Sequence, residues 1–383
     1  MPTIGILLPR SSYYETMSFD MIEGLRAGLR ANGLDDVRVV TENIGFGAEK
    51  QQCYRGAEKL LLEENASVVL AYVCQRTAQL LRPLFLAAKR LLIVLDSGAN
   101  MPLEWPASPN ILYHSLNNSV GTYLITQMAL KDGFKKGAMV TGYYDGGYLH
   151  TYALVNGFMQ GGGEMAFNHV TGYTQQDFTM APLPGYLATH PDTCLLSLFS
   201  GDFCEWYFRG LREHFPQHTP PVYLAPFSLE ETMLARAVFP GSGVKGVATW
   251  SKQLNNEQNI AFCKAMEDAG REASLFSLLG WEGASLCVLA LEAIKAHKTD
   301  VAAASEKIKS AEFHTPRGLV RFHQACNQSF GPMYEAALLE DEKGFCRLQI
   351  TGELSNVKEA LDTLSTSDLE QNMSGWFNSY TCN

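Results

Sequence analysis

The chain has 383 residues, of which 46% are hydrophobic and 18% are charged, and its formal net charge is −10. This length favours two domains, and this composition is typical of a soluble globular protein. The negative charge argues against partners such as nucleic acid or an anionic membrane surface, because no basic face is available to neutralise phosphates. No apolar stretch long enough to span a bilayer is evident.

The residues alone leave two interpretations of where the protein is located. The first predicted strand begins at Thr3, which leaves no room for a secretion signal. The chain is then either cytosolic, or a mature chain whose leader has been removed and to which Met1 has been added. Nine cysteines do not decide between these, although an odd number means that at least one cannot pair within the chain.

Short apolar strands alternate with amphipathic helices along most of the chain. Strands are predicted at 4–8, 37–40, 67–73, 91–95, 136–141, 164–170, 194–199 and 222–225, with further short strands within 315–322 and 333–345. Helices are predicted at 19–31, 48–63, 77–89, 120–131, 149–161, 179–189, 202–215, 257–269, 282–297 and 301–310. This order predicts an α/β fold with two parallel sheets built from right-handed βαβ units, and several crossings of the chain between two lobes.

Polar and aromatic residues follow the predicted strands at five places. They occupy the loops 9–14, 74–77, 96–100, 143–148 and 200–202. Ligands of open α/β sheets sit beyond the carboxyl ends of the strands, and a mixture of hydroxyls, carboxylates and rings suits a small polar ligand. Taken singly, Thr77, Asp96 and Asp202 fit the simpler role of a helix cap. Five such loops together favour a binding site.

Motifs that would indicate catalysis or metal binding do not stand out. The run Gly161-Gly162-Gly163 lacks the Lys-Ser/Thr of a phosphate loop, and no GxGxxG, GxSxG, HExxH or CxxC pattern occurs. The histidines at 114, 150, 169 and 190 are scattered without the spacing of a ligand set. We therefore expect no catalytic residue, no metal and no cofactor.

Six segments resemble the type I periplasmic solute-binding proteins of ABC transporters, in the branch that includes the leucine/isoleucine/valine-binding protein. They are "IGILLPRSSYYETMSFDMIEGLRAGL" (4–29), "CYRGAEKLLLEENASVVLAYVCQRTAQLL" (53–81), "IVLDSGAN" (93–100), "DFTMAPL" (177–183), "GWEGASLCVLALEAI" (280–294) and "TPRGLVRFHQ" (315–324). The resemblance covers nearly the whole chain. It implies two doubly wound parallel-sheet lobes joined by a hinge of three crossings.

The resemblance also implies how the lobes are divided and used. Lobe one is expected to hold 1–117 and 251–329, and lobe two 118–250 and 330–383, with crossings near 116–119, 249–252 and 328–333. The lobes would close over a small polar solute, an amino acid or a related carboxylate or amide compound, and present it to an ABC permease. The protein would act as a monomer, and no bond would be made or broken. Two alternatives remain: a ligand-sensing domain with the same clamp, and a cytosolic α/β enzyme.

The resemblance places the ligand on loops from both lobes. The implied ligand residues are Ser11, Ser12, Tyr13, Gln75, Thr77, Ser97, Gly98 and Ala99 in lobe one, and Tyr144, Asp145, Ser200, Gly201, Asp202 and Phe227 in lobe two. Relatives that bind amino acids supply an acid for the ammonium group after a later strand, where this chain has Pro226-Phe227-Ser228. Either Asp145, Asp202 or Glu282 takes that role, or the ligand is an aromatic acid, a urea or amide compound, or a sugar-like solute.

Two further expectations concern the cysteines and the tail. Leucine-binding relatives carry a disulfide at places matching Cys53 and Cys74, which implies that bridge here and a location in the periplasm; the alternative is two reduced cysteines in a cytosolic protein. The tail 367–383 exceeds the family pattern. We expect Trp376, Phe377 and Tyr380 to dock it on lobe two, and Cys382 to be free.

Overall fold

The computed structural model describes residues 2–297, 300–367 and 379–381. The strands are β1 Thr3–Leu8, β2 Arg38–Asn43, β3 Val68–Tyr72, β4 Leu91–Asp96, β5 Ile111–Ser115, β6 Lys136–Thr141, β7 Glu164–Val170, β8 Thr193–Leu198, β9 Val222–Leu224, β10 Val244–Ala248, β11 Phe313–Thr315, β12 Gly318–His323, β13 Gln328–Phe330, β14 Tyr334–Glu340 and β15 Cys346–Glu353. The helices are α1 Met17–Ala31, α2 Lys50–Leu62, α3 Gln75–Ala88, α4 Asn118–Lys131, α5 Leu149–Gln160, α6 Pro182–Thr189, α7 Gly201–His214, α8 Glu231–Leu234, α9 Glu257–Asp268, α10 Leu275–His297, α11 Val301–Lys309 and α12 Val357–Ser365.

The first sheet has the order β11-β12-β13-β5-β4-β3-β1-β2 and forms the centre of lobe one. From β2 to β13 all neighbours are parallel, whereas β12 and β11 add an antiparallel edge. Strands β1, β3, β4 and β5 are buried along their whole length because helices cover both faces. Leu7 and Val69 pack with Leu60 and Phe85 on one face, and Met21 and Leu279 belong to the core of the other.

The second sheet has the order β15-β14-β10-β9-β8-β6-β7 and forms the centre of lobe two. Strands β7, β6, β8, β9 and β10 are parallel, and β14 and β15 extend the sheet in antiparallel fashion. The chain passes from one sheet to the other three times: between β5 and β6, between β10 and β11, and between β13 and β14. The predicted fold of two mainly parallel α/β lobes is thus confirmed.

Helices α1 and α10 pack with their backbones in direct contact. A Cβ placed on Gly280 would lie 2.1 Å from Met21 O, and one on Gly24 would lie 2.0 Å from Ser277 O. No side chain fits at such distances, so both positions require glycine. This packing fixes α10 against the first sheet.

Contrary to the expectation from the sequence, one helix in the described ranges, α10, is long and apolar enough to cross a membrane by length and composition. Its most apolar window is 72% buried, and Leu278, Leu279 and Leu286 are fully buried in the core. A buried core helix passes the same length and composition test as a membrane span. Its burial assigns α10 to the core of lobe one.

The predicted disulfide between Cys53 and Cys74 is absent from the structure, where both residues are free thiols. Each sulfur has a different neighbour: Cys53 Sγ lies 3.8 Å from Gly47 O, and Cys74 Sγ lies 3.4 Å from Thr77 Oγ1. Hydrogen bonds rather than a covalent bridge hold this rim of the sheet.

Candidate ligand cleft

The loop after β1 carries three of the predicted ligand residues to the edge of lobe one. Ser11 is 8% exposed, and its Oγ accepts a hydrogen bond from Tyr14 N at 3.0 Å. The Ser11 hydroxyl donates to Tyr380 O at 2.7 Å, and Ser12 N donates to Thr381 O at 3.0 Å. Both serines therefore contact the C-terminal segment, and Tyr13 reaches the other lobe, as described below.

The loops after β3 and β4 meet beside this one. Gln75 Nε2 donates to Asn100 O at 2.8 Å and contacts Asp96 Oδ2 at 3.5 Å. Ser97 Oγ accepts a hydrogen bond from Ala99 N at 3.2 Å and is also bonded to Ser379 Oγ. Burial raises the pKa of Asp96 to about 6. These side chains form a polar wall at the carboxyl ends of the first sheet.

Two other predicted residues of lobe one have local roles. Thr77 is buried and contacts Cys74 Sγ, so it neither caps α3 nor belongs to the polar wall. Gly98 has a φ of 73°, and a Cβ on it would lie 2.5 Å from Asn117 Cα. Gly98 thus lets the loop after β4 pass directly against the first crossing.

In lobe two, Asp145 and Ser200 form a buried polar pair. Ser200 N and Ser200 Oγ donate to the Asp145 carboxylate at 2.7 and 2.8 Å, which ties the end of β8 to the end of β6. Burial raises the pKa of Asp145 to about 7. Asp202 accepts from Phe203 N within its own helix, so its carboxylate also has a local partner.

The aromatic residues predicted in lobe two occupy two different environments. Tyr144 is 43% exposed and packs beside Tyr143, whose exposure is 45%. Phe227, by contrast, is 2% exposed and stacks on His150 with 4.4 Å between ring centroids. Burial lowers the pKa of His150 to about 3. Phe227 and His150 are therefore internal, whereas Tyr144 lies on the surface.

Direct contacts between described residues join the lobes across the cleft. The Tyr13 hydroxyl donates to Glu205 Oε1 on α7, and the Arg236 guanidinium lies 4.7 Å from the centroid of the Tyr13 ring. Leu149 N, at the start of α5, donates to Asn100 Oδ1 at 3.1 Å. The carboxyl ends of the two sheets thus face each other with direct contacts between the loops.

Glu282 lies apart from this cleft, inside lobe one. Its carboxylate accepts from Arg317 Nε at 3.0 Å and Arg317 Nη2 at 2.8 Å, and it contacts His114 Nε2 at 2.7 Å. Although burial opposes ionisation, the Arg317 charge and the His114 bond lower the pKa of Glu282 to about 2. All these groups bind one another, so Glu282 offers no oxygen to a ligand.

The predicted ligand residues include neither the segment 379–381 nor Glu230. Residues 379–381 lie within the cleft, with Tyr380 at 6% exposure. The Tyr380 ring packs against Tyr14 and Phe276, and its hydroxyl accepts from Asn118 Nδ2 at 3.3 Å. Glu230 is 2% exposed and accepts from Met233 N at the start of α8. Tyr380 thus contacts both predicted lobes, with its ring on Tyr14 and Phe276 of lobe one and its hydroxyl on Asn118 at the start of lobe two. Trp376, Phe377 and Cys382 lie outside the described residues.

A cavity of about 20 Å³, enough for one water molecule, is bounded by Tyr72, Gln75, Ser97 and Ser379. A larger groove of about 660 Å³, whose lining includes Asp132, Tyr223 and Lys245, lies at the amino ends of the strands of the second sheet. Ligands of open α/β sheets bind at the carboxyl ends, so the cleft is the stronger candidate.

Comparisons with known proteins agree with this architecture. A family model described as "Periplasmic binding protein" matches residues 2–343. No curated protein matches the chain.

Solved structures with the same fold are numerous, and three illustrate them. A solute-binding protein of an ABC transporter from Rhodopseudomonas palustris BisB5, in complex with 3,4-dihydroxybenzoic acid, is 17% identical, has a TM-score of 0.74, and the match covers 92% of this chain and 97% of that one. One from R. palustris in complex with 4-hydroxybenzoate is 16% identical, with a TM-score of 0.76 and coverages of 92% and 96%. A branched-chain amino acid ABC transporter periplasmic ligand-binding protein from Burkholderia xenovorans LB400 is 15% identical, with a TM-score of 0.76 and coverages of 96% and 98%.

The matched family model spans most of the chain, and the two-lobed fold with its three crossings is the one that these structures share. The chain therefore belongs to the type I periplasmic binding proteins, in the leucine/isoleucine/valine-binding protein-like family.

Proposed function

We propose that the protein is the extracytoplasmic solute-binding component of an ABC importer and that it holds one small polar solute by closure of its lobes. The observation that supports this most is that the carboxyl ends of the strands in the two sheets face each other. Side chains from both lobes, including Tyr13 and Asn100 on one side and Glu205 on the other, meet across one cleft. Polar groups that converge between two mobile lobes are suited to enclosing a ligand.

The ligand we infer is a small aromatic acid or phenol rather than an amino acid. Each carboxylate considered for an ammonium group already has partners: Asp145 binds Ser200, Asp202 binds Phe203 N, and Glu282 binds Arg317. Glu230, near the position where relatives place that acid, is bonded to the first turn of α8. An amino-acid ligand would have to share a carboxylate that is already hydrogen-bonded within the protein, which favours a ligand without an ammonium group.

Aromatic side chains provide the complementary surface. Tyr14 and Phe276 form an edge-to-face corner with 5.1 Å between their ring centroids, at the cleft edge of lobe one. Such a corner favours a third ring. Two of the structures with this fold hold benzoate derivatives, which agrees with a ring ligand here.

The same proposal includes the partners and location of the protein. An ABC permease would receive the solute from the closed form, the chain would act in the periplasm as a monomer, and it would catalyse no reaction. Co-purification with a membrane-embedded permease, dependent on added solute, would support this role.

A binding panel tests the ligand class. Purified full-length chain is titrated with 4-hydroxybenzoate, benzoate, L-leucine, L-glutamine, urea and glucose, and its thermal midpoint is followed. We expect the aromatic acids to raise the midpoint, because a ligand at about 100 times its Kd stabilises the folded state by about 2.7 kcal/mol. Stabilisation by L-leucine alone would contradict the aromatic ligand but keep solute binding. No stabilisation by any class, with turnover of some substrate, would contradict solute binding itself.

A further inference from the structure

The C-terminal residues 379–381 lie where the loops of lobe one converge. Three of their backbone carbonyls accept hydrogen bonds from the cleft: Ser379 O from Tyr72 Oη at 3.1 Å, Tyr380 O from Ser11 Oγ at 2.7 Å, and Thr381 O from Ser12 N at 3.0 Å. Ser379 Oγ is bonded in addition to Ser97 Oγ. Ser11, Ser12 and Ser97 lie on the loops after β1 and β4, which are predicted to hold a ligand, and Tyr72 is the last residue of β3.

Tyr380 places its ring in the aromatic corner of the cleft. Its centroid lies 5.5 Å from that of Tyr14 and 5.6 Å from that of Phe276, both edge to face. Asn118 Nδ2 donates to its hydroxyl at 3.3 Å, and only 6% of the residue is exposed. Each part of a 4-hydroxyphenyl group, the ring and the hydroxyl, therefore has its own partner.

Tyr380 also adopts a backbone conformation that bulky residues rarely take. Its φ is 65°, in the left-handed region. Such a conformation persists when surrounding contacts determine it. Burial raises the pKa of the Tyr380 hydroxyl well above its ordinary value, and the charges of Glu230 and Asp145 raise it further.

The Tyr380 ring fills the position where an external ring would pack in this corner. A ring that packed edge to face against both Tyr14 and Phe276 in the same way would overlap the Tyr380 ring. Binding of one therefore excludes the other.

We propose that Tyr380 is an intramolecular occupant of the ligand cleft, and that its ring marks the position of the ring of an external phenol or hydroxybenzoate, which must displace it in order to bind. This inference rests on the proposed solute-binding function and adds two things to it: the chemical class of the ligand, and competition from the protein's own tail. The apparent Kd of the full chain is then raised by the fraction of molecules in which the cleft is occupied.

Calorimetry on full-length variants measures this competition. The probes are 4-hydroxybenzoate and p-cresol, and the variants are Tyr380→Ala, Tyr380→Phe and, as a matched control, Tyr54→Ala, whose tyrosine lies on α2 and is 36% exposed. We expect Tyr380→Ala to bind both probes at least about tenfold more tightly than the parent does. This factor corresponds to a parent protein whose cleft is free in about one molecule in ten or fewer. Tyr380→Phe keeps the ring but loses the Asn118 bond, so we expect a gain of about two- to fivefold. Tyr54→Ala should bind like the parent.

Equal affinity of the parent and Tyr380→Ala for 4-hydroxybenzoate would overturn the competition and leave solute binding intact. Absence of binding of both probes to every variant, with L-leucine binding to all of them equally, would overturn the ring position while the proposed function stands. Failure of every compound to bind any variant would refute both.

A second measurement uses the unmodified chain, so it does not depend on the folding of a variant. Carboxypeptidase trimming followed by intact-mass spectrometry should stop near Thr381 without ligand, because that residue is 4% exposed. Saturating 4-hydroxybenzoate should move the stop beyond Tyr380. Identical trimming with and without the probe would contradict displacement of the tail.

Discussion

At the scale of single residues, Glu282 illustrates what a sequence can and cannot indicate about an acid. Its segment resembles the family helix, and a carboxylate there suggests a ligand contact. Its partner Arg317 is 35 positions away in the sequence and lies directly before β12. No local sequence pattern therefore indicates that the two residues pair. The side chains are 1% and 0% exposed, which makes them a core ion pair.

Removing the cation from this pair should be costly. We expect Arg317→Met to lower the free energy of unfolding by about 3–5 kcal/mol, because it leaves the Glu282 charge buried without its main partner. The matched control is Arg321→Met, four residues along: Arg321 pairs with Glu312, and the two side chains are 48% and 56% exposed. That change should cost less than about 1 kcal/mol. Urea unfolding at pH 7 measures both, and equal losses would show that the buried pair contributes nothing special.

Thr77 shows what the sequence can and cannot indicate about a polar residue that follows a strand. The sequence places it correctly at the start of α3, after a buried strand. Its contact with Cys74 Sγ, rather than with the cleft or a helix N–H, depends on side-chain direction. Hydroxyl residues have several local bonding options, so spacing alone does not choose among them.

At the scale of elements, periodicity predicts most strands and helices but misses those whose pattern is short or uniform. Strand β5, Ile111–Ser115, is buried at every position and includes His114, so it shows no alternation. Strand β10, Val244–Ala248, was also missed, as were β15 and α12. Helix α10 begins seven residues before its predicted start because its first turns are buried on all sides. Periodicity does not distinguish a short buried strand from a buried helix segment.

The contact of α1 with α10 leads to a test at this scale. Gly280→Ala should destabilise the fold by about 1–3 kcal/mol or more, because its methyl group would meet the Met21 carbonyl and force the helices apart. The control is Gly185→Ala in α6, where nothing lies within 4 Å of the new Cβ. There we expect stability to rise by up to about 1 kcal/mol from helix propensity. Thermal unfolding of the two variants should therefore shift in opposite directions; a neutral Gly280→Ala would mean that the helices can separate at little cost.

At the scale of the whole molecule, alternation and family resemblance were sufficient to predict two lobes and a cleft. They were not sufficient to predict what lies in the cleft. The bond between Ser11 and Tyr380 joins residues 369 positions apart, and such a contact leaves no local trace in the sequence. This contact depends on packing between segments that are distant in the sequence and that meet only in the folded chain.

Closure of the lobes should depend on Tyr13. Tyr13→Phe removes the donor to Glu205 while keeping the ring against Arg236, so we expect the open form to become more populated. Small-angle X-ray scattering should give a larger radius of gyration than for the parent, for which a compact chain of this length suggests about 21 Å. Tyr54→Phe, on the outer helix α2, is the control and should scatter like the parent. Identical curves for all three proteins would mean that this bond does not hold the lobes together.

The way in which the tail is held has an evolutionary consequence. Its backbone carbonyls accept the hydrogen bonds from Tyr72, Ser11 and Ser12, and any residue supplies a carbonyl. The side chains that are recognised in addition are the ring and hydroxyl of Tyr380 and the hydroxyl of Ser379. Selection acting on this docking would therefore act most strongly on the aromatic position, so an alignment of close homologues should show a conserved tyrosine there.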